Sequence, residues 1–176
     1  GSTSWNSALH DGLHISNSTE RSLNRRGSIV NATKALNNLS SDSIDLVLYS
    51  KTAIGSGEYA NNPWLQELPD PISKMTWDNY LTVSPRFAKD LGLTNDYVSN
   101  GALNGDVVDL TVNGTTLRVP VLIQPGQAYK TLGLALGYGR QGAGKAGDGV
   151  GVNASVLAND FNTTISGATI TKVEGE

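Results

Sequence analysis

The chain has 176 residues, a net charge of −3 and no cysteine. That excludes a disulfide scaffold, a Cys zinc site, a Cys nucleophile and an iron–sulfur cluster held by this chain. The balance of 13 basic to 16 acidic residues lacks the basic footprint of a nucleic-acid binder. No apolar run approaches the ~18 residues a membrane helix needs. His10 and His14 are the only histidines, so a His-rich metal site is excluded as well. Asn, Ser and Thr supply 48 residues and Gly another 20, which suits short strands joined by many loops. Six N-x-[S/T] sequons, at Asn17, Asn31, Asn38, Asn113, Asn153 and Asn162, fall within what this composition gives by chance. Gly1-Ser2 reads as an expression scar, so the natural start is expected upstream.

In chain order, residues 4–14 predict a short helix, with Trp5, Leu9 and Leu13 on one face. His10 and His14, four apart, have a metal-compatible spacing but no third ligand, and a surface or docking role is the simpler reading. A second helix is predicted over 29–39, capped by Ser28, with Ile29, Ala32, Leu36 and Leu39 as its stripe. Residues 1–42 thus read as an arm or linker, and 43–176 as the folded domain. Ser43–Ser50 alternates as a strand, and Thr52–Met75 reads as a long loop with neither helix nor strand. Trp77–Val83 predicts a second strand. Ser84 then caps a helix from Pro85 to Leu91, with Gly92 just past its end.

Residues 106–124 predict a hairpin turning at Asn113-Gly114, with Pro120 at an edge or a bulge. Thr131–Leu136 and Thr164–Val173 complete six or seven short strands. With one clear helix among them they predict a β barrel, not repeated βαβ units. Val107, Leu110, Val112, Leu117, Val119, Val121, Ile123, Leu134 and Leu136 are the expected core.

Two loops stand out. Gly137–Gly151 holds seven Gly, and Gly139 to Lys145 matches G-x-x-x-x-G-K. A P-loop needs a Ser or Thr hydroxyl for Mg²⁺ after the Lys and a helix behind it; Ala146 stands there, followed by more glycine. The loop therefore reads as a surface loop, or as one shaped to approach a large cofactor with Arg140 and Lys145 near its phosphates. In isolation it is expected to be among the more mobile parts, having few apolar anchors. The other loop, Asn61 to Pro71, packs two Asn, a Trp, a Gln and a Glu between three prolines. It reads either as a rigid cover, with Trp64, Leu65 and Leu68 closing the barrel end, or as a ligand-facing wall. Asp70 and Asp78 suggest a carboxylate pair without an evident partner base. Trp77, Tyr80 and Tyr138 read as core or rim aromatics rather than a stacking site.

ANNPWLQELPDPISKMTWDNY (60–80), GDVVDLTVNG (105–114), RVPVLIQPGQA (118–128) and LGYGRQGAGKAGDGVGVNA (136–154) resemble the C-terminal domain of molybdopterin oxidoreductases. They are most similar to the iron–sulfur subunit of the bacterial quinol:cytochrome c oxidoreductase called alternative complex III. The resemblance covers roughly residues 43–154, with LHDG at 9–12 a weaker match. It implies a mainly β, double-psi β barrel, following the N-terminal helical arm read from residues 1–42, with Asn62, Trp64, Gln66, Glu67, Gly139, Arg140 and Lys145 turned toward a molybdopterin guanine dinucleotide. In alternative complex III the molybdopterin-type part implies a vestigial domain without molybdenum, the electrons passing through iron–sulfur clusters elsewhere in the parent. The implied identity is an excised structural domain with no catalytic residue and no activity of its own. Its implied setting is the periplasmic side of the bacterial inner membrane, beside other domains of the parent subunit and membrane and cytochrome subunits. The alternative is a functional dinucleotide-binding domain of a molybdenum oxidoreductase. Arg25-Arg26 is not a twin-arginine export signal, since no apolar region comes after it.

Overall fold

A computed structural model describes residues 2–13, 27–37, 42–99, 102–158 and 162–174. The chain divides into two units, Gly1–Asn38 and Leu39–Glu176. The first holds α1 (Ser2–Asp11) and α2 (Ile29–Asn37). Trp5, Leu9 and Leu13 are exposed, as are Ile29, Val30 and Leu36. Ser28 Oγ accepts from Asn31 N at 3.4 Å, consistent with its capping role. His14, Arg25-Arg26 and Leu39 lie outside the described residues.

The second unit is mainly β. Its strands are β1 (Asp45–Tyr49), β2 (Leu81–Val83), β3 (Asn95–Tyr97), β4 (Leu103–Gly105), β5 (Val107–Val112), β6 (Thr115–Ile123), β7 (Thr131–Ala135), β8 (Thr164–Ser166) and β9 (Thr169–Lys172). Seven of them form one curled mixed sheet in the order β8-β1-β7-β2-β6-β5-β9, and β3 and β4 make a separate ribbon. The pairs β1–β7 and β2–β6 are parallel. The pairs β1–β8, β2–β7, β5–β6 and β5–β9 are antiparallel. The two terminal strands of that order, β8 and β9, are separated in the chain only by Gly167 and Ala168. The predicted single last strand is therefore two. Gly167 (φ 87°) makes the break, and its N–H and that of Ala168 both bond Ile44 O as the chain leaves β1 for β5.

The Asn113-Gly114 turn forms as its sequence requires, with φ of 48° and 81°, between β5 and β6. Pro120 lies on neither a free edge nor a bulge. It is the last residue of β6 to pair with β5, and from Val121 onward the strand pairs with β2. The exchange of partners is where a missing N–H does least harm. The second predicted strand shrinks to Leu81–Val83 because Trp77 turns left-handed (φ 59°) and breaks the extended run. Helix α4 (Pro85–Asp90) comes next, with Ser84 Oγ accepting from Phe87 N at 3.3 Å and Gly92 at φ 66°. The 52–75 loop is not free of helix: α3 (Pro63–Glu67) is a short turn capped by Asn62.

Leu110, Val112, Val119, Val121 and Leu134 are buried as expected, and Leu117, Ile123 and Leu136 pack partly buried against them. Val107 is not in the core. The buried face of β5 is Val108, Leu110 and Val112, so Val107 has the opposite parity. Leu46, Leu48, Leu81, Val83 and Leu132 complete the central cluster.

Candidate functional site

The fold brings the two unusual loops together. Arg140 Nη2 donates to Ser56 O at 3.1 Å, and Asn61 Oδ1 accepts from Ala146 N at 3.1 Å. Gly137 (φ 95°) is packed so closely that a Cβ would strike the backbone of Ser56 and Gly57. The Gly-rich loop also closes on itself. Asp148 Oδ1 accepts from Ala143 N at 2.7 Å, Gly139 N donates to Val150 O at 2.7 Å, and Gly149 N to Arg140 O at 3.2 Å. No helix succeeds Lys145: the chain turns back, and the next helical residues are the 3₁₀ turn Ala154–Leu157. Beside these polar bonds the loop is anchored near its two ends by Tyr138, buried with Ile54 and Ala135, and by Val150 packed against them.

Asn79 fastens the end of that loop. Its side chain is 1% exposed, Nδ2 donates to Ala135 O at 2.8 Å and to Val152 O at 2.9 Å, and Oδ1 accepts from Val152 N at 2.9 Å. One amide therefore ties the end of β7 to the return of the loop with three bonds.

The residues nominated from the sequence are placed apart. Asn62 Oδ1 is taken up by capping α3, accepting from Trp64 N at 3.1 Å and Leu65 N at 3.4 Å. Trp64 is 82% exposed and Leu68 is exposed, so these two do not form the expected cover over the sheet. The helix turns Leu65 and Gln66 inward instead, and a one-turn helix cannot bury Trp64 on the same side. Glu67 and Lys145 are exposed. Gly139 (φ 65°) and Arg140 line an open cavity of about 570 Å³ with Gly137, Tyr138, Gln141, Asn153 and Ser155. Arg140 is held there by its bonds to Gly137 O and Ser56 O, each at 3.1 Å. Asn62, Trp64, Glu67 and Lys145 line neither this cavity nor the smaller one beside Lys51.

That smaller cavity, about 230 Å³, is not legible in the sequence. Lys51, Gln66, Asp70, Trp77 and Tyr138 line it, with Leu65, Pro69 and Met75 among its apolar walls. Lys51 is only 6% exposed. Its Nζ lies 4.5 Å from the Tyr80 ring centroid and 5.2 Å from that of Tyr138, and donates to Asp78 O at 3.3 Å. Burial pushes its pKa below the ordinary lysine range, against the opposing pull of the Asp70 and Asp78 charges. Burial also drives the Tyr49 and Tyr138 phenols well above their usual value. Tyr80 and Tyr138 are buried and Trp77 half-buried, as core or rim aromatics.

Gln66 is 2% exposed; Nε2 donates to Ala60 O at 2.9 Å, while Oε1 is a buried acceptor with no hydrogen-bond partner. The outer wall is a tight fold in which Asp70 N donates to Met75 O and Trp77 N to Gln66 O. Lys74 (φ 63°) and Trp77 (φ 59°) are both left-handed there, which is costly for side chains of their size. Asp70 is tied into this fold through its carboxylate. Its Oδ1 accepts from Ile72 N and Ser73 N, each at 2.9 Å, and these bonds lower its pKa against the upward push of burial.

Among the described residues, no group of three His, Cys, Asp or Glu side chains is placed to hold a metal ion, and His10 bonds Asp11 at 2.9 Å. No described helix is long and apolar enough to cross a membrane. No protein-family model matches the chain, and no curated protein matches it.

Proposed function

We propose that this chain is a molybdopterin-dinucleotide-binding-like domain of double-psi barrel type, serving as a cofactor-free structural part of a respiratory electron-transfer subunit. In that role it supports neighbouring domains of the parent, an oxidoreductase subunit on the periplasmic side of the bacterial inner membrane, while iron–sulfur clusters elsewhere carry the electrons. Two parallel pairs in an otherwise antiparallel sheet support the barrel type, because parallel neighbours require crossovers and crossovers interlock strands.

The observation that carries the structural role is the internal use of the polar side chains in the two loops. Asn61 and Asn62 bond backbone N–H groups, and Arg140 bonds two carbonyls. The residues present do not fit a guanine dinucleotide. Of the seven the resemblance nominates, Gly139 and Arg140 line one cavity, Gln66 another, and the rest neither. Arg140 is the one cation on the wall of the larger cavity, against two phosphates to be neutralised.

Thermal unfolding with guanine dinucleotide tests this. The structural reading expects no shift at millimolar ligand. Binding would add about 2.7 kcal/mol at 100 times Kd, and such a gain would establish the alternative, a dinucleotide-binding domain of a molybdenum enzyme. The natural gene supplies the second test: four-Cys clusters of the C-x₂-C-x₂-C-x₃-C kind downstream support the electron-transfer parent, and their absence removes it.

A further inference from the structure

The cavity beside Lys51 has no part in the proposed structural role, and its chemistry stands whether or not the domain serves that role. Among the described residues Lys51 is the buried lysine, and it lines this cavity. An ammonium carries three donors, and Lys51 Nζ directs one long bond, 3.3 Å, to Asp78 O while lying over the Tyr80 and Tyr138 rings. Burial disfavours its charged form, with the Asp70 and Asp78 charges pulling the other way. A lysine amine desolvated in this manner is a nucleophile near neutral pH. The wall around it is mixed: Met75 and the Trp77 and Tyr138 rings are apolar, whereas Thr52, Asp70 and Thr76 are polar. Thr52 and Thr76 are exposed, so the space is reached from solvent. Trp77 is held left-handed (φ 59°) on this wall, and strain of that kind concentrates at ligand clamps.

We propose that this cavity takes a small neutral aldehyde and that Lys51 joins it as an imine. The amine nitrogen attacks the carbonyl carbon, the C=O π pair passes to the oxygen, and a proton moves from nitrogen to that oxygen. The nitrogen lone pair of the resulting carbinolamine then expels the hydroxyl group, which leaves with the remaining amine proton as water. Amine and aldehyde thus give imine and water, with no oxidant or reductant. The product also relieves the site, because a neutral imine nitrogen replaces a buried charge that is costly to keep. Charge selects a neutral aldehyde. Burial raises the Asp70 pKa, but bonds from Ile72 N and Ser73 N bring it below the ordinary value, so this wall carries a carboxylate. Once Lys51 is neutral, no cation offsets that carboxylate, and an anionic aldehyde is repelled. Size selects a single ring at most: a cavity of ~150 Å³ accepts benzene, so one of about 230 Å³ accepts benzene bearing a formyl group. A Met and two aromatic rings on the wall suit an aryl or alkyl chain.

The intact protein is treated at pH 7 with benzaldehyde and cyanoborohydride, which reduces an imine to a stable secondary amine, and the labelled lysines are located by peptide mass spectrometry. The exposed Lys34, Lys74, Lys89 and Lys145 serve as internal references. Lys51 is expected to label about tenfold faster than any of them or more, at a rate that saturates with benzaldehyde while theirs rise in proportion to it. An amine in water is neutral to only about one part in a few thousand at pH 7, so the references should gain on Lys51 as the pH is raised. Asp70, Asp78, Tyr80 and Tyr138 face Lys51; burial raises both phenols and Asp70 is lowered, so the trend between pH 7 and ~9 reports the amines. Propanal and glyoxylate are both smaller than benzaldehyde and differ chiefly in charge. The preference for Lys51 over the references should be about tenfold greater with propanal, and Asp70→Asn should restore the preference with glyoxylate. Lys51 labelled no faster than the references would overturn the proposal, leaving it a structural cation held by two rings. Labelling of Lys51 that never saturates would overturn the cavity as the binding site. Equal preference with propanal and glyoxylate would overturn the neutral class, and an Asp70→Asn protein unchanged toward glyoxylate would overturn Asp70 as its cause. The first three comparisons use the unaltered protein, so they decide the matter even where the variant fails to fold.

Discussion

Asn79→Ala should be among the most damaging single changes in this protein. The side chain is buried and makes three hydrogen bonds, to Ala135 O, Val152 O and Val152 N. Truncation removes about 1 kcal/mol net for each bond, and the partners left behind are backbone groups in a buried region, where an unpaired group costs ~1–3 kcal/mol. Partial access of water to the space vacated lowers the sum, so a loss of about 3–5 kcal/mol is expected. In a domain of this size that lowers Tm by roughly 10 °C or more. Urea denaturation of both proteins, compared at equal m-values, measures it. Asn79→Asp sharpens the test. It preserves the shape but replaces the nitrogen that donates twice with an oxygen facing two carbonyls, so it should be no better tolerated than Ala. Gly151 supplies a third arm: at φ 64°, a Cβ there would strike Asn79 Oδ1. Gly151→Ala and Asn79→Ala should therefore cost less together than the sum of their separate effects. A loss below about 1 kcal/mol for Asn79→Ala, or a well-tolerated Asp, would refute the claim that this amide fastens the Gly-rich loop to β7.

Trp64→Ala should cost less than about 0.5 kcal/mol in the same urea assay, because the side chain is already in water. Gly139→Ala should cost more than Gly114→Ala, since both need positive φ but a Cβ at Gly139 lands on the backbone nitrogen of Asn153, whereas at Gly114 it meets open space. Burial pushes the Asp106 pKa up, but bonds from Lys172 Nζ at 2.9 Å and Thr94 N at 2.7 Å lower it overall; the stability this gives is present above the ordinary value near ~3.9 and lost as pH falls below it, so Asp106→Asn should flatten the acid limb of a stability–pH curve. The Tyr138 phenol is raised, so its contribution is intact below pH ~10 and lost as pH rises beyond, and Tyr138→Phe should lessen the alkaline loss of stability. ATP with Mg²⁺ should leave the amide signals of Gly139 to Ala146 unmoved, since Ala146 has no hydroxyl and its N–H is bonded to Asn61.

The parts of the fold legible in the sequence are those whose cause is local. Asn-Gly makes a tight turn whatever lies beyond it, and Ser-Pro with Gly seven residues later bounds a helix by chain chemistry alone. Legibility fails where a partner decides. The run Asp106-Val107-Val108-Asp109 supports either parity, and only pairing with β6 and β9 puts Val108 inside. Thr164–Val173 carries the composition of one strand. It breaks because its two halves pair with β1 and β5, which stand second from either end of the sheet order, and a single straight strand cannot pair both in this register. Pro120 obeys the same logic: an edge is the usual home for a residue without an N–H, but a strand that changes partners provides another.

The candidate site is less legible, because the same residue types that recognise ligands also satisfy backbone. Asn61, Asn62 and Arg140 stand in two conspicuous loops, and composition gives no means of telling an amide that meets a ligand from one that caps a helix. Each is bound to main chain, and the loops hold each other. Among the described residues, the buried side-chain group left unpaired is Gln66 Oε1, one turn along from conspicuous Asn62, and the buried cation is Lys51, which stands in no motif. Lys51 is enclosed because β1 delivers it between Tyr80, just before β2, and Tyr138, just after β7, so its environment is assembled from three remote segments. Periodicity over a few residues carries no record of that convergence. The physical signal arises only after folding: Lys51 is enclosed with one long bond to Asp78 O and two aromatic faces, and Gln66 Oε1 is sealed in without a donor. The bonds of Asn61, Asn62 and Arg140 are set by the main chain they meet, and the burial of Lys51 by segments far apart in the chain, so residue type alone tells neither.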